Sequence, residues 1–167
     1  EAHSVGMTVT DAGFLQDDGD WLLFGHNVAV NGNTDALLPT IPPWNSTTTA
    51  PDPARWERSW YIDVTDVGTI GGAVNITFDF NEAGMGAYTP SSTTSDYRLL
   101  KRSAAAGNFD EDIATATSVD VTNKRVTFAN VPVADLGSNF TLATLDNSGS
   151  PTAVTLQPIT ATTPGNG

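Results

Sequence analysis

The chain has 167 residues, with 19 acidic and 7 basic side chains and a formal charge of -12. It has no cysteine, which excludes disulfide scaffolds, Cys-ligated zinc, iron–sulfur clusters and thiol nucleophiles. No run of about 18 apolar residues exists to insert in a membrane, and so few cations do not suit nucleic-acid phosphates.

Helix signals are nearly absent. The best candidate is the short stretch Leu99 to Ala106, ending at Gly107-Asn108. Thr, Val and Ile total 43, and β-branched residues favour pleated strands. Predicted strands come in order at Val5–Thr10, Trp21–Phe24, Ser59–Val64, Ala73–Phe80, Tyr97–Lys101, Ser118–Val121, Arg125–Ala129, Phe140–Leu145 and Val154–Ile159. In Ser59–Val64, Trp60, Ile62 and Val64 share one face, and Tyr61 and Asp63 the other. In Ala73–Phe80, Val74, Ile76, Phe78 and Phe80 alternate with Asn75, Thr77 and Asp79, the pattern of a half-buried antiparallel strand. Thr122-Asn123-Lys124 predicts a tight hairpin.

Eight or nine short strands separated by turn residues predict an all-β fold. The architecture expected is an antiparallel β-sandwich, Ig-like or jelly-roll-like, with long loops and strand-like tails. Residues 1–12 form an N-terminal extension and a candidate exchanged strand, 13–146 the sandwich, and 147–167 a tail with a candidate edge strand. The longest loop, Val30 to Asp52, holds four prolines and Trp44. The chain opens on Glu1 without Met, which predicts a processed, secreted chain at the cell surface.

Catalytic signals are weak, and the sequence reads as that of a non-enzyme. His3 sits in a polar terminus and His26 at a strand end, and no G-x-S-x-G motif accompanies them. Glu57, between Trp56 and Arg58, reads as an ion-pair partner of Arg55 or Arg58. Calcium is the one cofactor suggested. Asp17, Asp18 and Asp20 surround Gly19, and Asp110 and Asp112 lie in a second acidic run, giving hard oxygen ligands in tight turns. The alternative for both is a solvated acidic turn. Trp44 and Trp56 are candidates for stacking on sugar rings; for Trp44 the alternative is a plug that packs the loop onto the sandwich. Arg58 shares a face with Trp56 and Trp60 and needs a carboxylate or strand-end carbonyls for company. Three N-x-S/T sequons offer Asn45, Asn75 and Asn139 for glycosylation.

The order of motifs resembles a recurring, uncharacterised module of bacterial secreted and cell-surface proteins of gliding and adhesin type. The resemblance rests on Leu22, Leu23, Gly25 and His26, then Arg55, Arg58 and Trp60. It continues through Val74, Ile76, Phe78 and Asp79, Tyr97, Leu99 and Leu100, and Val126, Thr127, Phe128, Phe140, Thr141 and Leu142. It covers about Asp17 to Leu145 and implies a surface-exposed β-sandwich with no known activity. Where such modules often carry an acidic turn after the Y-x-L-L strand, this chain has Lys101-Arg102-Ser103.

The function expected is a structural subunit that partners itself in an extracellular filament, sheath or surface layer. Tail strands would add to a neighbour's sheet edge. The candidate assembly residues are Val5, Met7 and Val9 at one end and Val154, Leu156 and Ile159 at the other. The alternative is an adhesin or carbohydrate-binding module for surface glycans, with or without calcium.

Overall fold

Strict alternation organises the first sheet. Val74, Ile76 and Phe78 point inward, while Asn75 and Thr77 stay half-buried on the outer face. The computed structural model describes residues 2–27, 32–40, 43–44, 53–68 and 71–145. Among them, twelve strands follow in chain order: β1 (Ala2–Ser4), β2 (Met7–Asp11), β3 (Trp21–His26), β4 (Asn33–Thr34), β5 (Ala54–Trp56), β6 (Trp60–Thr65), β7 (Ala73–Asp79), β8 (Tyr97–Arg102), β9 (Glu111–Thr115), β10 (Ser118–Asp120), β11 (Arg125–Pro132) and β12 (Asn139–Thr144). The first sheet runs β1-β2-β7-β11-β10. In the second, β9-β8 pairs with one edge of β12. The other edge of β12 is shared by β6, which carries β3, and β5, which carries β4. Every pairing is antiparallel, and the protein is an all-β, sandwich-like fold.

Aromatic rings join the two sheets. Trp60 from β6 meets Phe78 from β7 at 5.3 Å between centroids, edge to face, and Phe78 meets Phe128 from β11 at 6.0 Å. Trp56 packs edge-on against Phe80 at 4.8 Å, and Phe80 stacks on Tyr88. These offset and T-shaped geometries suit the ring quadrupoles and add to the area each ring buries.

Four strands were not expected: β1, β4, β5 and β9. The first three are only two or three residues long, too short to show alternation. Leu99 to Ala106 is not helical. Its first part is β8, because Tyr97 and Leu99 fill the core while Leu100 is buried on the outer face of the sheet.

The N-terminal segment is also corrected. Among the described residues of this segment, β1 and β2 are strands of the chain's own first sheet, with β2 between β1 and β7. Met7 pairs with Phe78 and Val9 with Ile76, so both side chains fall in the core, and only Val5, in the turn, is exposed. The C-terminal expectation, with Val154, Leu156 and Ile159, lies outside the described residues.

A second, smaller core covers the outer face of the β12–β8 ladder. Leu38, Trp44, Leu100, Phe109 and Ala143 form it, with Leu145 at its margin. Arg55 latches the loop above. Its Nε donates to the Ala36 carbonyl at 2.7 Å and its Nη1 to those of Trp56 and Glu57 at 2.6 and 3.3 Å. Its guanidinium lies 5.0 Å from the Phe109 ring centre, and that of Arg102 lies 4.6 Å away. Burial lowers the Arg55 pKa, and the nearby Arg102 charge adds to this. Arg55→Met keeps the stem but strands buried carbonyls. It is expected to cost about 2 kcal/mol, and Arg55→Lys to recover little of this, because lysine lacks the fork. Urea unfolding of both variants checks this.

Candidate interaction surface

The two tryptophans expected to stack on sugars are both interior. Trp56 is 3% exposed, walled in by Trp60, Phe78 and Phe80. The cause is β5, which pairs with β12 and turns Trp56 into the sandwich. Trp44 is 4% exposed and plugs the second core, its indole hydrogen-bonded to Asp112. Neither presents a ring face to a ligand.

Arg58, buried on the Trp56–Trp60 face, donates from Nη1 to the Val5 carbonyl in the β1–β2 turn at 3.4 Å. Thr141, fully buried, lies 3.0 Å from the carbonyls of both Trp56 and Arg58 and donates to either. It fills the gap where the ladder breaks between β5 and β6. His26 ends β3 with its Nδ1 3.0 Å from the Asn27 carbonyl.

The acidic runs occupy different places. Asp17 and Asp18 are exposed in the turn before β3, and Asp20 is built into that turn. The Asp20 Oδ1 accepts the Val67 N–H at 2.8 Å, and Oδ2 accepts those of Gln16 and Asp17 at 3.0 and 2.8 Å. Asp112 is on β9, pairing with Arg98 at 3.3 Å, and Asp110 is exposed just before that strand. Burial raises the Asp112 pKa, against the pull of Arg98 and Trp44. Among the described residues, no three His, Cys, Asp or Glu side chains converge as metal ligands. Burial and the Arg102 charge lower the Arg55 pKa, and the charge of Glu57, itself exposed, only partly opposes them.

The backbone donors to Asp20 hold its carboxyl below the usual 3.8, those of Val67 and Asp17 most strongly. Asp11 is lowered too, by the N–H groups of Leu15 and Phe14. A lowered folded-state pKa means stability that is present above the ordinary value. It is lost as pH falls through the folded value. Asp20→Asn is therefore expected to lower the melting temperature at neutral pH and to flatten its decline in acid. Melting curves from pH 7 to about pH 2 test this; parallel declines in parent and variant would reject it.

The sequons also differ in setting. Asn75 is tied down: its Oδ1 accepts the Asn130 N–H at 3.0 Å and its Nδ2 donates to Thr10 at 3.4 Å. Asn139 is half-buried on β12, and its sequon partner is the buried Thr141. Asn45 lies outside the described residues.

A surface that sequence reasoning missed is the outer face of β3 and β6. Trp21 is 39% exposed, Leu23 64% and Tyr61 50%. Trp21 opposes Thr65, Leu23 opposes Asp63 and Gly25 opposes Tyr61, so all three large side chains share that face. The run WLLF is apolar on both sides, which hides from the sequence which residues face out. The only available signal was its neighbour, where the charged Asp63 marks the outer side of β6. Contiguous apolar side chains on an outer face mark interaction sites.

This surface sits on an all-β sandwich-like protein whose class rests on its two facing antiparallel sheets. No protein-family model, no curated protein and no solved structure matches the chain.

Proposed function

We propose that this protein is a non-enzymatic, secreted structural subunit that assembles with copies of itself into an extracellular filament, sheath or surface layer. The kinship with bacterial surface modules belongs to the same proposal. The exposed Trp21–Leu23–Tyr61 face carries this reading: it presents three large apolar side chains around Asp63, on and beside an edge strand. Contacts of this kind that do not close by symmetry propagate into fibres. Electron microscopy and sedimentation of the full chain at physiological salt test it. Ordered polymers are expected, and dispersed monomers at every concentration would reject the reading.

One observation favours a second reading, an adhesin or glycan-binding module. Trp21 and Tyr61 present aromatic rings on one open sheet face, in the place first assigned to Trp44 and Trp56. A glycan array probed with and without a calcium chelator decides it. Binding lost in Trp21→Ala and Tyr61→Ala supports a glycan platform, and silence in both conditions removes it.

A further inference from the structure

Besides the two-residue β4, the second sheet ends in two longer edge strands of different character. At one edge, β9 carries Glu111 and Asp112, paired with Lys101 at 3.4 Å and Arg98 at 3.3 Å. Charges at an edge discourage another strand from docking. At the other, β3 has the sequence WLLFGH, with no acidic or Lys/Arg side chain. Among the described strands, nothing pairs with its outer edge. In an antiparallel strand, about half the residues direct N–H and C=O away from the one partner it has. The core is also thin beneath it: Leu22, Phe24 and Val64 are only partly buried where they join the central cluster.

Resting on the self-assembly reading, we propose that the free edge of β3 receives Val154–Ile159 of a second copy as an added strand. Five features fit. The segment is six residues long, as is β3. Residues 147–167 contain no charged side chain, in a chain of net charge -12, so they approach an acidic partner without repulsion. Val154 and Leu156 fall on one face by alternation and would complete the cover over Leu22 and Phe24. With Val154 opposite Phe24 and Leu156 opposite Leu22, Ile159 falls on the opposite face, diagonal to the exposed Trp21. Pro158 lacks an N–H, which an added outermost strand tolerates because its far side pairs with nothing.

Reach favours a neighbour over the chain's own tail. Leu145 ends the β12 segment at the far end from Phe140, which pairs with Trp60, opposite His26 of β3. Five residues along β12 and three strand spacings across put a position outside β3 about 22 Å from Leu145. The nine steps from Leu145 to Val154 span at most about 32 Å fully extended, and a Val154 placed opposite Phe24 lies two residues farther along, about 28 Å away. The chain's own tail would therefore have to cross β5 and β4 almost straight, at a large cost in entropy. A tail from another copy bears no such constraint.

The absence of cysteine makes the test clean. Full-length chains carrying Leu23→Cys are mixed with full-length chains carrying one cysteine at Val154, Thr155, Leu156 or Gln157, under mild oxidant. Mass spectrometry reads the heterodimers, which are necessarily between chains. We expect heterodimers with Leu23→Cys, few with Thr115→Cys on the β9 edge, and loss of both crosslink and polymer when Val154→Asp and Leu156→Asp are added. Polymers that persist with crosslinks at Thr115→Cys, or at neither edge, overturn the β3 assignment and leave the self-assembly reading standing. A chain carrying Leu23→Cys and a tail cysteine together, closing only an internal disulfide, overturns exchange between copies. No polymer and no heterodimer, with glycan binding abolished in Trp21→Ala, overturns both readings and makes the face a glycan platform.

Discussion

Trp60→Ala is expected to remove about 3–5 kcal/mol of stability, the range for emptying a large aromatic site in a core. Trp60 is fully buried, and its ring contacts Trp56 from β5 and Phe78 from the opposite sheet. Its indole N–H also donates to the Ser4 carbonyl of β1 at 3.4 Å, so one side chain touches both sheets and an edge strand. The neighbours cannot collapse into the gap easily, because each ring is fixed by another: Trp56 by Phe80, and Phe78 by Phe128. Domains of ordinary stability hold about 5–15 kcal/mol in total, so the loss would bring this one near its limit. Urea unfolding is the measurement, with a lower midpoint at unchanged slope. Trp21→Ala is the control. Trp21 is 39% exposed, so its loss should cost about 1 kcal/mol or less. Equal costs for the two tryptophans would refute the assignment of inner and outer faces.

That contrast also shows how far residue patterns carry. The inner face of β7 and the Trp60–Ile62 face of β6 were legible, because apolar and polar residues alternate there without interruption. The hairpin around Thr122-Asn123-Lys124 was legible from turn chemistry, and Lys124 adopts a positive φ of 56° within it. Asp79 follows the polar phase of β7, yet it is only 6% exposed. Its Oδ1 accepts the Asn81 and Glu82 N–H groups and its Oδ2 binds Arg125 at 2.7 Å, so a turn and a cross-strand cation bury it. Period alone contains no information about such partners. Trp56 was misplaced because β5 is three residues long and its burial depends on pairing with β12, nearly ninety positions away in sequence. Trp21 and Leu23 were missed because a run without polar residues has no visible phase. For the same reason, the candidate surface emerged only when the register of β3 on β6 was known.

Gly72→Ala is the other substitution expected to be severe, at about 3–5 kcal/mol from backbone strain plus overpacking. Gly72 precedes β7 with a φ of +87°, which L side chains adopt at a cost. A Cβ built there would lie 2.2 Å from the Gly13 carbonyl oxygen and 2.7 Å from the Phe14 Cα. Those are backbone atoms and cannot swing aside as a side chain does. Nor can the segment retreat as a unit. Phe14 is 1% exposed in the core, and the Asp11 carboxylate accepts the N–H groups of Phe14 and Leu15 at 2.8 and 3.0 Å. Relief on the other side is blocked too, because the Gly72 carbonyl accepts the Val133 N–H at 3.1 Å and the Ala73 carbonyl accepts that of Ala12 at 3.0 Å. Gly13→Ala separates the two costs. Its φ is +97° but no atom lies within 4 Å of the added carbon, so it carries strain alone, about 1–2 kcal/mol. Denaturation midpoints of the two variants give the difference directly. If they match, the close approach between the β2 exit and the β7 entry is absent. If Gly72→Ala is the worse, the segment after β2 is clamped against the entry to β7 in its own sheet.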